Sequence, residues 1–135
     1  MKTTAVSSDT TLYAGAATAD LTPRTSQFLC GYPHVPRMSE GVHDPLLSSA
    51  LYLAAGGERL LLIANDILFV PNASVKRIRE AIVRETGLAA DHILLSATHT
   101  HSGPKVSEPA SRRENPVDPP VDPDYIRQLE GALTE

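Results

Sequence analysis

A chain of 135 residues is the size of one ordinary domain and can bury a core of its own. Its 41% hydrophobic and 21% charged residues are the composition of a soluble globular protein, which excludes disordered and fibrous classes. A net charge of −4 disfavours nucleic acid as a partner, and no apolar run is long enough to read as a transmembrane segment.

Residues 1–11 are polar, rich in Thr and Ser, and expected to be frayed. They carry an early lysine but no apolar stretch behind it, so they do not read as a secretion signal and a cytoplasmic location is expected. Residues 12–23, "LYAGAATADLTP", read as a strand whose small side chains allow close backbone approach. It ends at Asp20 and is punctuated by Pro23. Residues 24–45 show no period and contain Gly31, Pro33, Pro36, Gly41 and Pro45. They are expected to form a long loop, and loops of that length inside a compact domain are often functional. The single cysteine, Cys30, rules out an internal disulfide and reads as a small buried hydrophobe.

Two strands, residues 47–54 and 60–65, are expected around a Gly56-Gly57 turn. The second, "LLLIA", is apolar on both faces, as a central strand covered on both sides would be. A helix is predicted over residues 72–85, with Val75, Ile78, Ile82 and Glu85 on one stripe and Gly87 as its stop. Residues 92–98, "HILLSAT", read as another apolar strand. Strand, helix and strand in this order predict a right-handed crossover joining parallel strands, hence an α/β fold with helices packed on the sheet. Residues 105–124 carry many prolines and no apolar period, which reads as an irregular loop. The stretch "DYIRQLEGALTE" resumes helical spacing, with Asp124 as the expected N-cap. Its pattern runs on without a stop signal, as in a chain interrupted within a helix.

Ligands of such crossovers gather at the carboxyl ends of the strands. Asp66 closes one strand and the run Thr98-His99-Thr100-His101 closes the other, so both are expected on one rim. Two imidazoles spaced i, i+2 on extended backbone would face the same way, which suits two metal ligands or a ligand and a general base. A catalytic zinc takes three protein ligands and a water whose pKa it lowers to about 7. His99 and His101 can supply two. Asp66, His34 and His43 are weaker thirds, and His92 is expected at the far end of its strand. No combination completes the set. Ser102 lacks the Gly-x-Ser-x-Gly elbow of a nucleophile and reads as a turn hydroxyl.

Taken in series, "AGAATADLTP", Gly31-Tyr32, "GVHDPL", the hairpin ending in "AND" and above all "SATHTHSGP" resemble the neutral/alkaline (non-lysosomal) ceramidase family. The chain from residue 12 to residue 135 is similar to the N-terminal part of that family's catalytic domain. The resemblance implies a mixed α/β sheet and a zinc-dependent hydrolase that cleaves the N-acyl amide bond of ceramide or a related lipid amide, a reaction of sphingolipid metabolism. It implies that His99 binds zinc, that His101 lies beside the metal in the substrate site, and that a further His, a Glu and a Tyr come from far downstream. The chain departs from the family at Ser49, at Lys105-Val106 and in the proline-rich insert, and secreted members of the family exist.

On this reading His101 hydrogen-bonds the developing oxyanion or shuttles the proton. Asp66 orients a ligand or a neighbouring loop, against the plainer role of helix cap, while Tyr32 and His34 line the entrance. The expected partner is a lipid amide or another small-molecule amide. Apolar surface left uncovered would favour a homo-oligomer. The alternative is a truncated, non-catalytic ceramidase-like domain that serves as a structural or interaction module.

Overall fold

The computed structural model describes residues 11–32, 34–108 and 119–134. Its strands are β1 (Tyr13–Asp20), β2 (Leu47–Ala55), β3 (Glu58–Asn65) and β4 (Ile93–Ala97), and its helices are α1 (Asn72–Thr86) and α2 (Pro123–Ala132). One mixed sheet runs in the order β1-β2-β3-β4. The first two pairings are antiparallel and the third, β3 with β4, is parallel across α1. The α/β class and the strand–helix–strand unit expected from the sequence are therefore present.

Local chemistry accounts for the boundaries. Gly56 and Gly57, at φ 58° and 89°, make the two-residue turn whose twist matches its flanking strands, and the ladder closes to Ala55↔Glu58. The hairpin strands are thus longer than apolarity alone suggested, because Glu58 and Arg59 pair through backbone despite their charge. Gly87, at φ 66°, ends α1 and donates to Val83 O at 2.9 Å. The buried residues of α1 are Ser74, Ile78 and Ile82, so its inner face is centred nearer Ser74 than Val75. His92 lies in a single 3₁₀ turn (Ala90–His92) rather than in the strand, its N–H bonded to Ala89 O, and β4 starts one residue later.

One expectation about α2 is corrected. Its N-cap is Asp122, not Asp124: the Asp122 carboxylate accepts from the N–H groups of Asp124 and Tyr125, and Pro123 occupies the first turn, where a missing N–H costs nothing. The helix spans Pro123–Ala132 and is followed by a turn in which Thr134 N–H bonds Gly131 O. The expected frayed residues 1–10 and residues 109–118 of the proline-rich loop lie outside the described residues.

Both helices pack on one face of the sheet. Ile63 and Ile93 meet Ile78, Ile82, Tyr125 and Leu129 there in one cluster. Arg77 forks onto the Glu130 carboxylate at 2.8 and 2.6 Å and ties α1 to α2. The Tyr125 hydroxyl donates to Leu21 O at 2.9 Å, and burial pushes its ionisation far up, so it stays a donor. On the other face Leu51, Leu60 and Leu94 are 38%, 38% and 53% exposed. β3 is central in the sheet but among the described residues is covered on one side only, a correction to the reading of its continuous apolar run. Among the described residues no helix is long and apolar enough to cross a membrane.

Candidate active site

The carboxyl ends of β3 and β4 meet at the Asn65↔Ala97 pair. Asn65 is fully buried and spends its amide inside the sheet, accepting from Ser48 Oγ at 2.8 Å and donating to Ser96 O at 2.9 Å. Beyond it the two chain ends cross-link: Thr98 N–H bonds Asn65 O at 2.9 Å and His99 N–H bonds Ile67 O at 3.1 Å. Asp66 uses both carboxylate oxygens here. One accepts from Leu47 N–H and the other from the Thr98 hydroxyl, each at 3.0 Å. The carboxylate joins the start of β2 to the residue before His99. It does not cap α1, whose N-cap is Pro71 with no side-chain bond.

His99 sits at φ 62°, a left-handed conformation that costs a non-glycine residue about 1–2 kcal/mol. The strand has already ended, so the two imidazoles do not converge by the alternation of extended backbone. They converge because the chain turns at His99, which brings the ring centroids of His99 and His101 to 5.1 Å with planes 70° apart. Nδ1 of His99 lies 2.9 Å from Leu68 O. A carbonyl oxygen can only accept, so Nδ1 carries the proton and Nε2 presents its lone pair outward. The Phe69 ring packs edge-to-face on the same imidazole, with centroids 5.1 Å apart and planes at 64°.

His101 is held from the other side by residues 28–38. This segment doubles back on itself through a Phe28↔Met38 bridge and pairs with the turn after the histidines through Leu29↔Pro104. Cys30 N–H bonds Gly103 O at 3.2 Å, and the Cys30 side chain is half-buried rather than fully buried as the sequence suggested. Gly31, at φ 112°, lies flat against the imidazole: a Cβ there would stand 2.7 Å from Cγ and 2.9 Å from Nδ1 of His101. Tyr32 meets the His101 ring edge-on at 5.3 Å, and Arg37 stacks over Tyr32 at 4.4 Å. The loop expected over residues 24–45 is therefore partly ordered by backbone pairing.

The fold brings His99, His101 and Tyr32 together and adds Phe69 and Arg37, which the sequence reading passed over. His34 is exposed on the Tyr32 loop at φ 63°, and His43 pairs with Asp44 at the surface. Ser102 is exposed, its N–H turned onto Thr100 Oγ1. Thr98, Thr100 and Ser102, which alternate with the histidines, line a separate groove of about 850 Å³ with Asp66. A larger one of about 1050 Å³ lies between β1 and α2 and is not lined by either histidine. Among the described residues no three His, Cys, Asp or Glu side chains are grouped so as to hold a metal ion. The two imidazoles, one with its tautomer fixed, fit part of a zinc donor set and not the whole of it.

No family model matches the chain. Among solved structures its fold is similar to that of neutral ceramidase from Pseudomonas aeruginosa, with a TM-score of 0.64 and 24% identity. A ceramidase complexed with C2 matches equally, at a TM-score of 0.64 and 24% identity. Each match covers 72% of this chain and 16% of the other, so the chain spans about one sixth of the length of these neighbours. The likeness gives the chain a ceramidase-like fold.

Proposed function

We propose that this fold carries part of the active site of a zinc-dependent hydrolase that cleaves the N-acyl amide bond of ceramide or a related lipid amide. The observation that carries the reading is the bond between His99 Nδ1 and Leu68 O, which leaves Nε2 as a lone-pair donor aimed away from the backbone. Histidines that ligate metals are characteristically fixed in this way through the second nitrogen. His99 would hold the metal, together with donors beyond the described residues. When bound, zinc supplies Lewis acidity towards an amide carbonyl and lowers the pKa of water. His101, with its ring 5.1 Å from that of His99, hydrogen-bonds the carbonyl oxygen as charge develops or moves the proton to the leaving amine. Tyr32 and Phe69 flank the pair with apolar edges suited to a lipid amide. The ceramidase-like fold supports the same chemistry.

Zinc content of the chain purified without chelator, compared with His99→Ala, tests the ligand role. About one zinc per chain that is lost in His99→Ala, with turnover of a fluorogenic N-acyl lipid, is the expected result. A folded chain that takes up no zinc removes the reading for these residues alone. One observation favours the second reading, a non-catalytic module with a ceramidase-like fold: no third donor stands beside the histidines among the described residues. Zinc-free, inactive, cooperatively folded protein is its signature.

A further inference from the structure

The geometry points to Arg37 as the residue that positions His101. The inference rests on reading His101 as part of the site, and it concerns a side chain 64 residues earlier in the chain. Arg37 Nη2–H donates to the His101 carbonyl oxygen at 2.6 Å and reaches the Cys30 carbonyl oxygen at 3.5 Å. The face of the same guanidinium lies 4.4 Å from the Tyr32 ring centroid, and Tyr32 in turn abuts the His101 imidazole at 5.3 Å. One cation therefore reaches His101 twice, directly at its backbone and through Tyr32 at its ring.

Between the two residues it grips lies Gly31, the residue whose missing Cβ makes room for the imidazole. Holding Cys30 and Tyr32 thus holds the glycine against the ring. The arrangement closes on itself: guanidinium to His101 backbone, imidazole to phenol ring, phenol ring back to guanidinium. A lysine has neither the flat face nor the forked donors to do this. The position also carries a cost. Arg37 Nε is buried and has no hydrogen-bond partner among the described residues, an arrangement disfavoured unless the rest of the group is well used. Among the described residues no cation holds His99 in this way; its ring is set by a backbone carbonyl.

The test is an NMR experiment on the full chain that requires neither zinc nor turnover. Cross-peaks between the Tyr32 and His101 rings and between the Phe69 and His99 rings are followed in wild type and in Arg37→Ala. The expected result is loss of the Tyr32–His101 cross-peaks with the Phe69–His99 cross-peaks retained. Should Arg37→Ala lose both by unfolding, Arg37→Gln is read instead, because it keeps a polar, planar amide on a shorter side chain while removing the guanidinium that makes these contacts. Selective loss in either variant supports the role. Retention of the Tyr32–His101 contact in Arg37→Ala overturns it, and so does loss of both contacts together in both variants. A selective loss in a chain that binds no zinc would leave Arg37's role standing while removing the hydrolase reading.

Discussion

His99 and His101 stand two residues apart with their rings 5.1 Å from each other, yet they are fixed by different kinds of partner. His99 is set by main-chain atoms: its N–H on Ile67 O, its Nδ1 on Leu68 O, and Thr98 before it on Asn65 O. His101 is set by side chains, or by the lack of one, at Gly31, Tyr32 and Arg37. On the proposed reading His99 is a ligand, which must keep one tautomer and one direction, and backbone carbonyls of a strand end supply that whatever side chains surround them. On the same reading His101 meets substrate, and its neighbours Gly31, Tyr32 and Arg37 are ones a single substitution can change.

The largest effect is expected from breaking the main-chain side at its root. Ile67 is fully buried in the core, and its side chain holds down the loop that carries both carbonyls facing His99. Ile67→Ala should cost about 3 kcal/mol in urea unfolding, by lost transfer energy and the cavity left behind. The Tyr32–His101 contact should survive in the folded fraction while Phe69–His99 weakens. A cost under about 1 kcal/mol would mean that the loop is not anchored through this residue.

A smaller and more local effect is expected on the other side. In Gly31→Ala the new methyl group would sit 2.7 Å from His101 Cγ, at a φ of 112° that L-residues avoid. The strain should cost about 2 kcal/mol and expel the imidazole from its place beside Tyr32, leaving Phe69–His99 intact. Unchanged stability together with an unchanged Tyr32–His101 contact would end the claim that the glycine shapes this half of the site.

The same contrast decides what could be read from the sequence. The hairpin turn, the end of α1 and the parallel pairing of β3 with β4 follow from glycine positions and apolar spacing, and these were legible. So was the meeting of Asp66 and the histidines on one rim, because parallel strands end together. The means of convergence was not legible: a histidine at φ 62° breaks the local preference that an extended run assumes. The Leu68 carbonyl leaves no trace in sequence, since any residue has one. Arg37 could have been noticed only by asking what cation a loop rich in prolines and aromatics needs. The exposed face of β3 escaped for another reason: a continuous apolar run says that both faces are apolar, not that both are covered.

Acid should separate the two halves through Asp122, a carboxylate that belongs to neither. Gln27 stands at the base of the His101 loop, its backbone bonded to Ser39 and its side-chain amide donating to Asp122 at 2.7 Å. That bond first, and the Asp124 N–H next, hold the Asp122 carboxyl below the ordinary 3.8. A depressed folded-state value means that the unfolded chain takes the proton first. The contribution is therefore complete above 3.8 and fades as pH falls through the lower folded value. The Gln27 side-chain amide signals should hold still from neutral pH down past 3.8 and shift only below it, with Tyr32–His101 weakening alongside and Phe69–His99 persisting. An amide that moves around 3.8 itself would mean that Asp122 titrates as a free carboxylate and that the loop is not pinned through it. If both ring contacts instead fade together, acid is unfolding the whole layer, and the Glu130 carboxylate that Arg77 holds below its ordinary value between the two helices is the group to follow.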